Sequence, residues 1–307
     1  MCVAPSQQES VQHTQYVVNL LTKLGWMINQ QKSDLVPSQQ ITFLGMYIDL
    51  EAGFLAPTQE KIDKILLWSQ FLHKSTVISV QQYLSLLGLL NNVSSLVKLG
   101  RLHLRPLQLY LASFGLDLRA SLYDTIPLRP VFFTALMWWE HPEKLARGVE
   151  LRTPPTQMTM FTDASRSGWG ASILTHSAKG KWNHLDKQNH ISAVRLGLQA
   201  LQHLVTGKCI RVMSDNVATI AYIRNEGGTR SIPLYKETKI LLLWCQDNNV
   251  IIVPTFLPGR RNVCADQLSR SSKVLATEWT LDKFIFRKIH QAVPHLSVNL
   301  FATRWNN

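Results

Sequence analysis

Apolar residues recur at three- and four-residue spacing almost from the start of the chain. "VQHTQYVVNLLTKLGWMINQ" predicts one amphipathic helix within residues 1 to about 30, with Gly25 near its end. The period then shortens. Ile41 to Leu44 and Met46 to Ile48 flank Gly45, and "EAG" turns into a second strand, so this stretch reads as β. Residues 58–125 read as helical throughout, in "TQEKIDKILLWSQFL", "SVQQYLSLLGLLNNVSSLV" and "RPLQLYLASF". Thr58 opens the first of these, with Lys61 where a capping box would place an acid.

"DTIPLRP" leads to a helix containing "ALMWWE", and "LRTPPTQ" (151–157) is the clearest linker. Beyond it "MTMFTDA" and "GWGASILTH" predict strands, and "GKWNHL" a possible third. "ISAVRLGLQALQHLV" is helical, "KCIRVMSD" is a short strand ending in an acid, and "NVATIAYIRN" and "SIPLYKETKILLLWCQDN" are helices. "VIIVPTFLPG" predicts a buried strand and "NVCADQLSR" returns to helix. The order predicts an α/β fold, a mixed sheet with helices on both faces, preceded by an α+β N-terminal part.

Charge narrows the choice of partner. The 307 residues are 46% hydrophobic, enough for a packed core, and carry a formal net charge of +12. Residues 156–270 hold 14 Lys and Arg against 7 Asp and Glu, over half of that excess. A polyanion is the expected partner, with nucleic acid ahead of an acidic membrane surface. No apolar run is long enough to span a bilayer, and the N-terminus lacks a signal-peptide layout. Cys2, Cys209, Cys245 and Cys264 have no zinc-ligand spacing. Free thiols in a reducing compartment are the simple reading, which implies an intracellular protein, in cytoplasm or nucleus.

"FTDASRSGWGASI" poses the chemical question. Asp163 could simply close a strand, or it could be the first carboxylate of a metal site. Two more acids stand at comparable places: Asp215 ends "IRVMSD", and Asp266 sits early on the helix after the last strand. Carboxylates at the ends of adjacent strands, joined by one from a covering helix, converge at a sheet edge. Oxygen ligands of that kind suit Mg²⁺, and a two-metal arrangement cleaves phosphodiesters.

Those pieces carry a resemblance. "FTDAS", "RVMSDN" and "LPGRRNVCADQLSR" make residues 156–270 similar to the RNase H domain of a retroelement reverse transcriptase. "LTKLGWMINQQKSDLVPSQQITFLGMYID" resembles the tail of a retroelement polymerase palm, with Lys32 and Phe43-Leu44-Gly45 at the primer-side segment. "LLGLLNNVSSLVKLGRLHLRPLQLYL" resembles the thumb and connection of the DIRS-like retrotransposon branch, and residues 277–307 resemble the segment C-terminal to RNase H in that branch. The resemblance implies a palm remnant at 1–57, a mostly helical thumb/connection at 58–150, an RNase H-like domain at 156–270 and a helical tail at 271–307. It implies Mg²⁺ or Mn²⁺ on Asp163, Asp215 and Asp266 as the catalytic set, cleavage of the RNA strand of an RNA–DNA hybrid, and nucleic-acid contacts at Lys32, Arg260, Arg261 and Asn262. The Arg260–Arg261 pair reads equally as a solvated loop.

Two departures qualify those expectations. No "YxDD" motif occurs, so polymerisation would need a palm and fingers supplied by a separate chain. The family also places a Glu in a pattern like "hIN-x-LEL-x-A", where "HISAVRLGLQAL" has Arg195. A permanent cation there predicts weakened metal binding and impaired cleavage, with Arg195 itself pairing with Asp163 or Asp215. Glu226, in the "RNEGG" loop beyond the next helix, is poorly placed to substitute. A non-catalytic nucleic-acid-binding module with the same fold, or a non-functional retroelement remnant, stands as the alternative. Trp138-Trp139 reads as a buried helix face, His176, His184 and His190 as surface or turn histidines, and Ser214 has no triad partners.

Overall fold

The computed structural model describes residues 3–182 and 189–270. The helical tail expected at 271–307 lies outside the described residues. The chain divides into two compact units, Met1–Gly100 with Leu118–Thr153, and Arg101–Asp117 with Pro154–Asn307.

The first unit opens with α1 (Gln7–Lys23), started by Ser6, whose hydroxyl accepts from the Glu9 amide at 3.3 Å. No residue of α1 is buried. β1 (Gln40–Phe43), β2 (Met46–Asp49) and β3 (Phe54–Pro57) form an antiparallel meander. Leu44 and Gly45 both take positive φ (50° and 74°), the conformation a two-residue hairpin turn requires. α2 (Gln59–His73) and α3 (Val80–Ser94) come next, separated by β4 (Val77–Ser79). The wholly helical reading of 58–125 is therefore corrected by two short strands. "TVIS" is β-branched and pairs with β5 (Thr125–Pro127), and Ser79 then caps α3 through a complete capping box with Gln82. α4 (Gly100–Ala112) belongs, from Arg101 on, to the second unit. α5 (Pro130–Leu136), α6 (Pro142–Ala146) and β6 (Val149–Glu150), which pairs with β3, complete the first unit. Its core joins Ile62, Ile65 and Leu72 with Tyr83, Leu86, Phe132, Leu136, Trp139 and Leu145. Trp139 is fully buried, as expected, whereas Trp138, which meets it edge-on at 5.0 Å, is half-buried.

The second unit is built on five strands: β7 (Met158–Ala164), β8 (Gly168–Ile173), β9 (His176–Lys181), β10 (Cys209–Ser214) and β11 (Ile251–Phe256). Their order is β11-β10-β7-β8-β9, with β10 parallel to β7 and β11 and the β7-β8-β9 meander antiparallel. α7 (His190–Ala200) packs on one face, where Gly197 approaches Ala171 and Met160 closely. Met160, Ala171, Ile173, Ile191, Val194, Leu198, Ile210 and Val212 fill the core. α8 (Gln202–Val205), α9 (Val217–Arg224) and α10 (Ile232–Asp247) connect the strands, and α11 (Val263–Arg270) covers the other face. A Cβ on Gly170 would stand 2.5 Å from Leu268 Cβ and 2.7 Å from the Ala265 carbonyl oxygen, so only glycine lets α11 seat on β8. β11 corrects one expectation. It is an edge strand with half-exposed residues, and the edge tolerates Pro254, which a central strand would exclude.

Candidate metal and nucleic-acid site

Parallel pairing brings the first two acids together. β7 and β10 are in register from Met158–Ile210 to Phe161–Met213, and two residues further along stand Asp163, within β7, and Asp215, just past the end of β10. Neighbouring strands lie roughly 5 Å apart, so the carboxylates meet at the C-terminal edge of the sheet. Asp163 is 5% exposed, and its Oδ2 accepts from Ser269 Oγ of α11 at 2.5 Å. Asp215 is approached by the turn after β11, where a Cβ on Gly259 would stand 2.9 Å from its Oδ2.

The third member is His190. Asn189 caps α7 by accepting from the Ser192 amide at 2.9 Å, which starts the helix with His190 at the sheet edge. Its Nδ1 lies 3.9 Å from Asp163 Oδ1 and 3.9 Å from Asp215 Oδ1. Asp163, His190 and Asp215 each offer a ligand atom, all within 4.8 Å of one another. His190 Nδ1 and Asp215 Oδ1 are buried without a hydrogen-bond partner among the described residues. Two near-adjacent carboxylates repel one another and orphaned buried acceptors are costly, and a divalent cation would offset both. The donor set therefore fits a divalent ion.

His190 overturns its assignment as an ordinary surface or turn residue. The signal was positional rather than a spacing motif: an Asn-capped helix start facing the ends of two acid-terminated strands.

Arg195 also differs from expectation. Its Nε donates to Glu237 Oε1 of α10 at 2.6 Å and its Nη1 to Gln199 Oε1 at 3.1 Å, so the pairing expected with Asp163 or Asp215 is replaced by one with Glu237. Periodicity explains this. Five residues beyond His190, Arg195 sits about 140° round the helix and about 7.5 Å along it. Glu237, 4% exposed on the packed face of α10, is the partner that sequence reading missed.

Asp266 stands outside the Asp163–His190–Asp215 group. Its Oδ1 accepts from Arg270 Nε at 2.7 Å, an i,i+4 pair on α11. The α11 residue that touches Asp163 is Ser269, one turn on. Arg260 and Arg261 are exposed in the turn Gly259–Arg261, next in sequence to the glycine that abuts Asp215. Asn262, expected at the nucleic-acid contact, is instead buried. It is 1% exposed, and its Nδ2 donates to the Thr162 carbonyl at 2.9 Å, pinning the turn to β7. Lys32 is exposed in a short 3₁₀ turn of the first unit. Glu226 turns to α4, where its Oε2 accepts from the Leu102 amide at 3.3 Å, and burial raises its pKa above the ordinary carboxylate value.

No helix of the described residues is long and apolar enough to cross a membrane. No protein-family profile matches the chain, and no curated protein matches it. Among solved structures it is similar to the foamy viral protease–reverse transcriptase in complex with double-stranded DNA, at 16% identity and TM-score 0.40. That match covers 83% of this chain but only 44% of the viral one, so the chain spans less than half the viral protein's length. LC11-RNase H1 in complex with RNA/DNA hybrid matches at 15% identity and TM-score 0.33, over 36% of this chain and 93% of the other. RNase H1 from Halobacterium salinarum matches at 13% identity and TM-score 0.30, over 36% and 92%. The second unit, a mixed five-stranded sheet with helices on both faces, has the α/β architecture expected from the order of its elements.

Proposed function

We propose that residues 156–270 are an RNase H-like module of retroelement descent that binds nucleic acid, an RNA–DNA hybrid above all, with its hydrolytic activity impaired. The observation that carries the proposal is the convergence of Asp163 and Asp215 from adjacent parallel strands, with orphaned ligand atoms between them and His190. The excess of Lys and Arg in this segment supplies attraction for phosphate, and exposed Arg260 and Arg261 stand on the turn that borders the acids.

Asp163, Asp215 and His190 would hold the ion. When bound, a divalent ion activates a water and stabilises the leaving oxygen of a phosphodiester. Ser269 orients Asp163 through its hydroxyl, and Asn262 fixes the turn carrying Arg260 and Arg261. Two features of this chain favour binding over cleavage. The family's Glu has no counterpart at Arg195, which is committed to Glu237, and Asp266 is engaged by Arg270. Descent from a DIRS-like retrotransposon is part of the same proposal. So is an intracellular location, consistent with free Cys209, Cys245 and Cys264.

Fluorescence anisotropy of a labelled RNA–DNA hybrid tests this, with salt varied in the presence of chelator. Affinity should fall steeply as salt rises, with no strong sequence preference. A flat salt response would sink the nucleic-acid reading. Cleavage in Mg²⁺ should stay near background, and robust cleavage that disappears in Asp163→Asn would overturn the impairment.

A further inference from the structure

We infer that His190 is a nitrogen ligand that sets the metal preference of this site, turning it from Mg²⁺ towards a borderline transition ion of the Zn²⁺ and Co²⁺ class. The inference rests on the proposed metal site and goes beyond it in naming the ligand that decides which ion is taken.

Distance is the first ground. At 3.9 Å from both Asp163 Oδ1 and Asp215 Oδ1, His190 Nδ1 is too far for a hydrogen bond to either. An ion about 2.0–2.2 Å from each ligand bridges atoms up to roughly 4 Å apart, so small adjustments of two side chains bring all three donors into reach.

Satisfaction is the second. His190 Nδ1 and Asp215 Oδ1 are both buried and unpartnered among the described residues, and both face the same gap. A ring nitrogen left without a partner beside two carboxylates is a costly arrangement unless something occupies the gap. Asp163 is fixed at the gap by the hydroxyl of Ser269, and His190 stands on the first residue of the helix that Asn189 caps.

Donor chemistry is the third. Mg²⁺ takes oxygen ligands and keeps its waters, whereas imidazole nitrogen suits Zn²⁺ and its neighbours. One imidazole with two carboxylates, leaving a position for water, is a donor set of the catalytic-zinc type. The all-carboxylate set expected from Asp163, Asp215 and Asp266 would favour Mg²⁺, but Asp266 is held by Arg270 and its place in the cluster is taken by nitrogen.

The test uses the full chain, stripped of metal by chelator and dialysed. Isothermal titration with CoCl₂, ZnCl₂ and MgCl₂ is paired with the visible absorption of Co²⁺, which reports nitrogen ligation without any activity assay. Wild-type protein should bind Co²⁺ and Zn²⁺ well ahead of Mg²⁺ and give a ligand-field band. His190→Ala should weaken Co²⁺ at least about tenfold and shift the band. His190→Glu should lower the Co²⁺-to-Mg²⁺ affinity ratio at least about tenfold, because it restores an oxygen donor. Asp163→Asn should weaken every ion. Far-ultraviolet circular dichroism and urea midpoints in chelator establish that each variant is folded, and His190→Gln replaces the alanine variant if that one is not. Mg²⁺ bound as tightly as Co²⁺, or Co²⁺ binding and absorption untouched in His190→Ala, would overturn the inference. Hybrid binding in chelator is measured on the same samples, so loss of the metal preference and loss of the nucleic-acid reading are told apart.

Discussion

Arg195 and Glu237, with their charged atoms 2.6 Å apart and side chains only 15% and 5% exposed, tie α7 to α10. A buried pair gains little over apolar side chains of like size, but removing one partner strands the other charge. Arg195→Glu should therefore not restore a metal site. It should place two carboxylates together and lower stability by about 3–5 kcal/mol in urea titrations, while the double change to Met at both positions recovers most of that loss. Glu226 behaves differently. Burial raises its pKa, against amide donation from Leu102 and Arg101, so its protonated form is the better fit to the fold. Its stabilising contribution is complete below the unfolded-state pKa of about 4.3 and is lost as pH rises through the higher folded value. Glu226→Gln should flatten that segment of the stability–pH curve, which thermal melts between pH 4 and 7 would show; an unchanged slope would refute the assignment. Asp163 and Asp215 were legible because acids that end strands leave a mark in sequence. His190 was not, since its role depends on where a helix begins relative to a sheet edge about 27 residues earlier and 25 later.

Elements were more legible than their surroundings. Strand and helix order through the second unit tracks the change of hydrophobic period, because each element buries one face or one stripe. What periodicity could not show was position in the sheet. The apolar run of β11 reads as buried, yet its half-exposed place at the edge is set by the whole strand order and agrees with Pro254. Gly170 is an element-scale determinant of the same kind. Gly170→Val should cost about 1–3 kcal/mol or more by forcing α11 off β8, and amide exchange in α11 should accelerate with little change in α7. α1 marks the other extreme. Its Tyr16, Val17 and Leu20 are exposed and none of its residues is buried, so its helix rests on capping and propensity alone. Its amides should exchange orders of magnitude faster than those of α2, whose Ile62, Ile65 and Leu72 are in the core.

For the whole molecule, charge and topology matter more than any single contact. Net charge was readable directly, and it points to a polyanion whichever chemistry the site performs. The division into units was only partly readable. "LRTPPTQ" marks one boundary, but residues 101–117 join the second unit through contacts distant in sequence, such as Tyr235 Oη donating to the Leu102 carbonyl at 3.3 Å. The parallel pairing of β7 with β10 spans some fifty residues and includes an entire meander and helix, so it closes late on any folding route dominated by local contacts. The ligands of the proposed ion sit at the far end of that pairing. An ion that binds only there recognises the finished fold and finds nothing to grip before it. Saturating Co²⁺ should accordingly lower the unfolding arm of a chevron plot and leave the refolding arm where it was. Depletion of metal would then shorten how long each molecule stays folded, without changing how fast it folds.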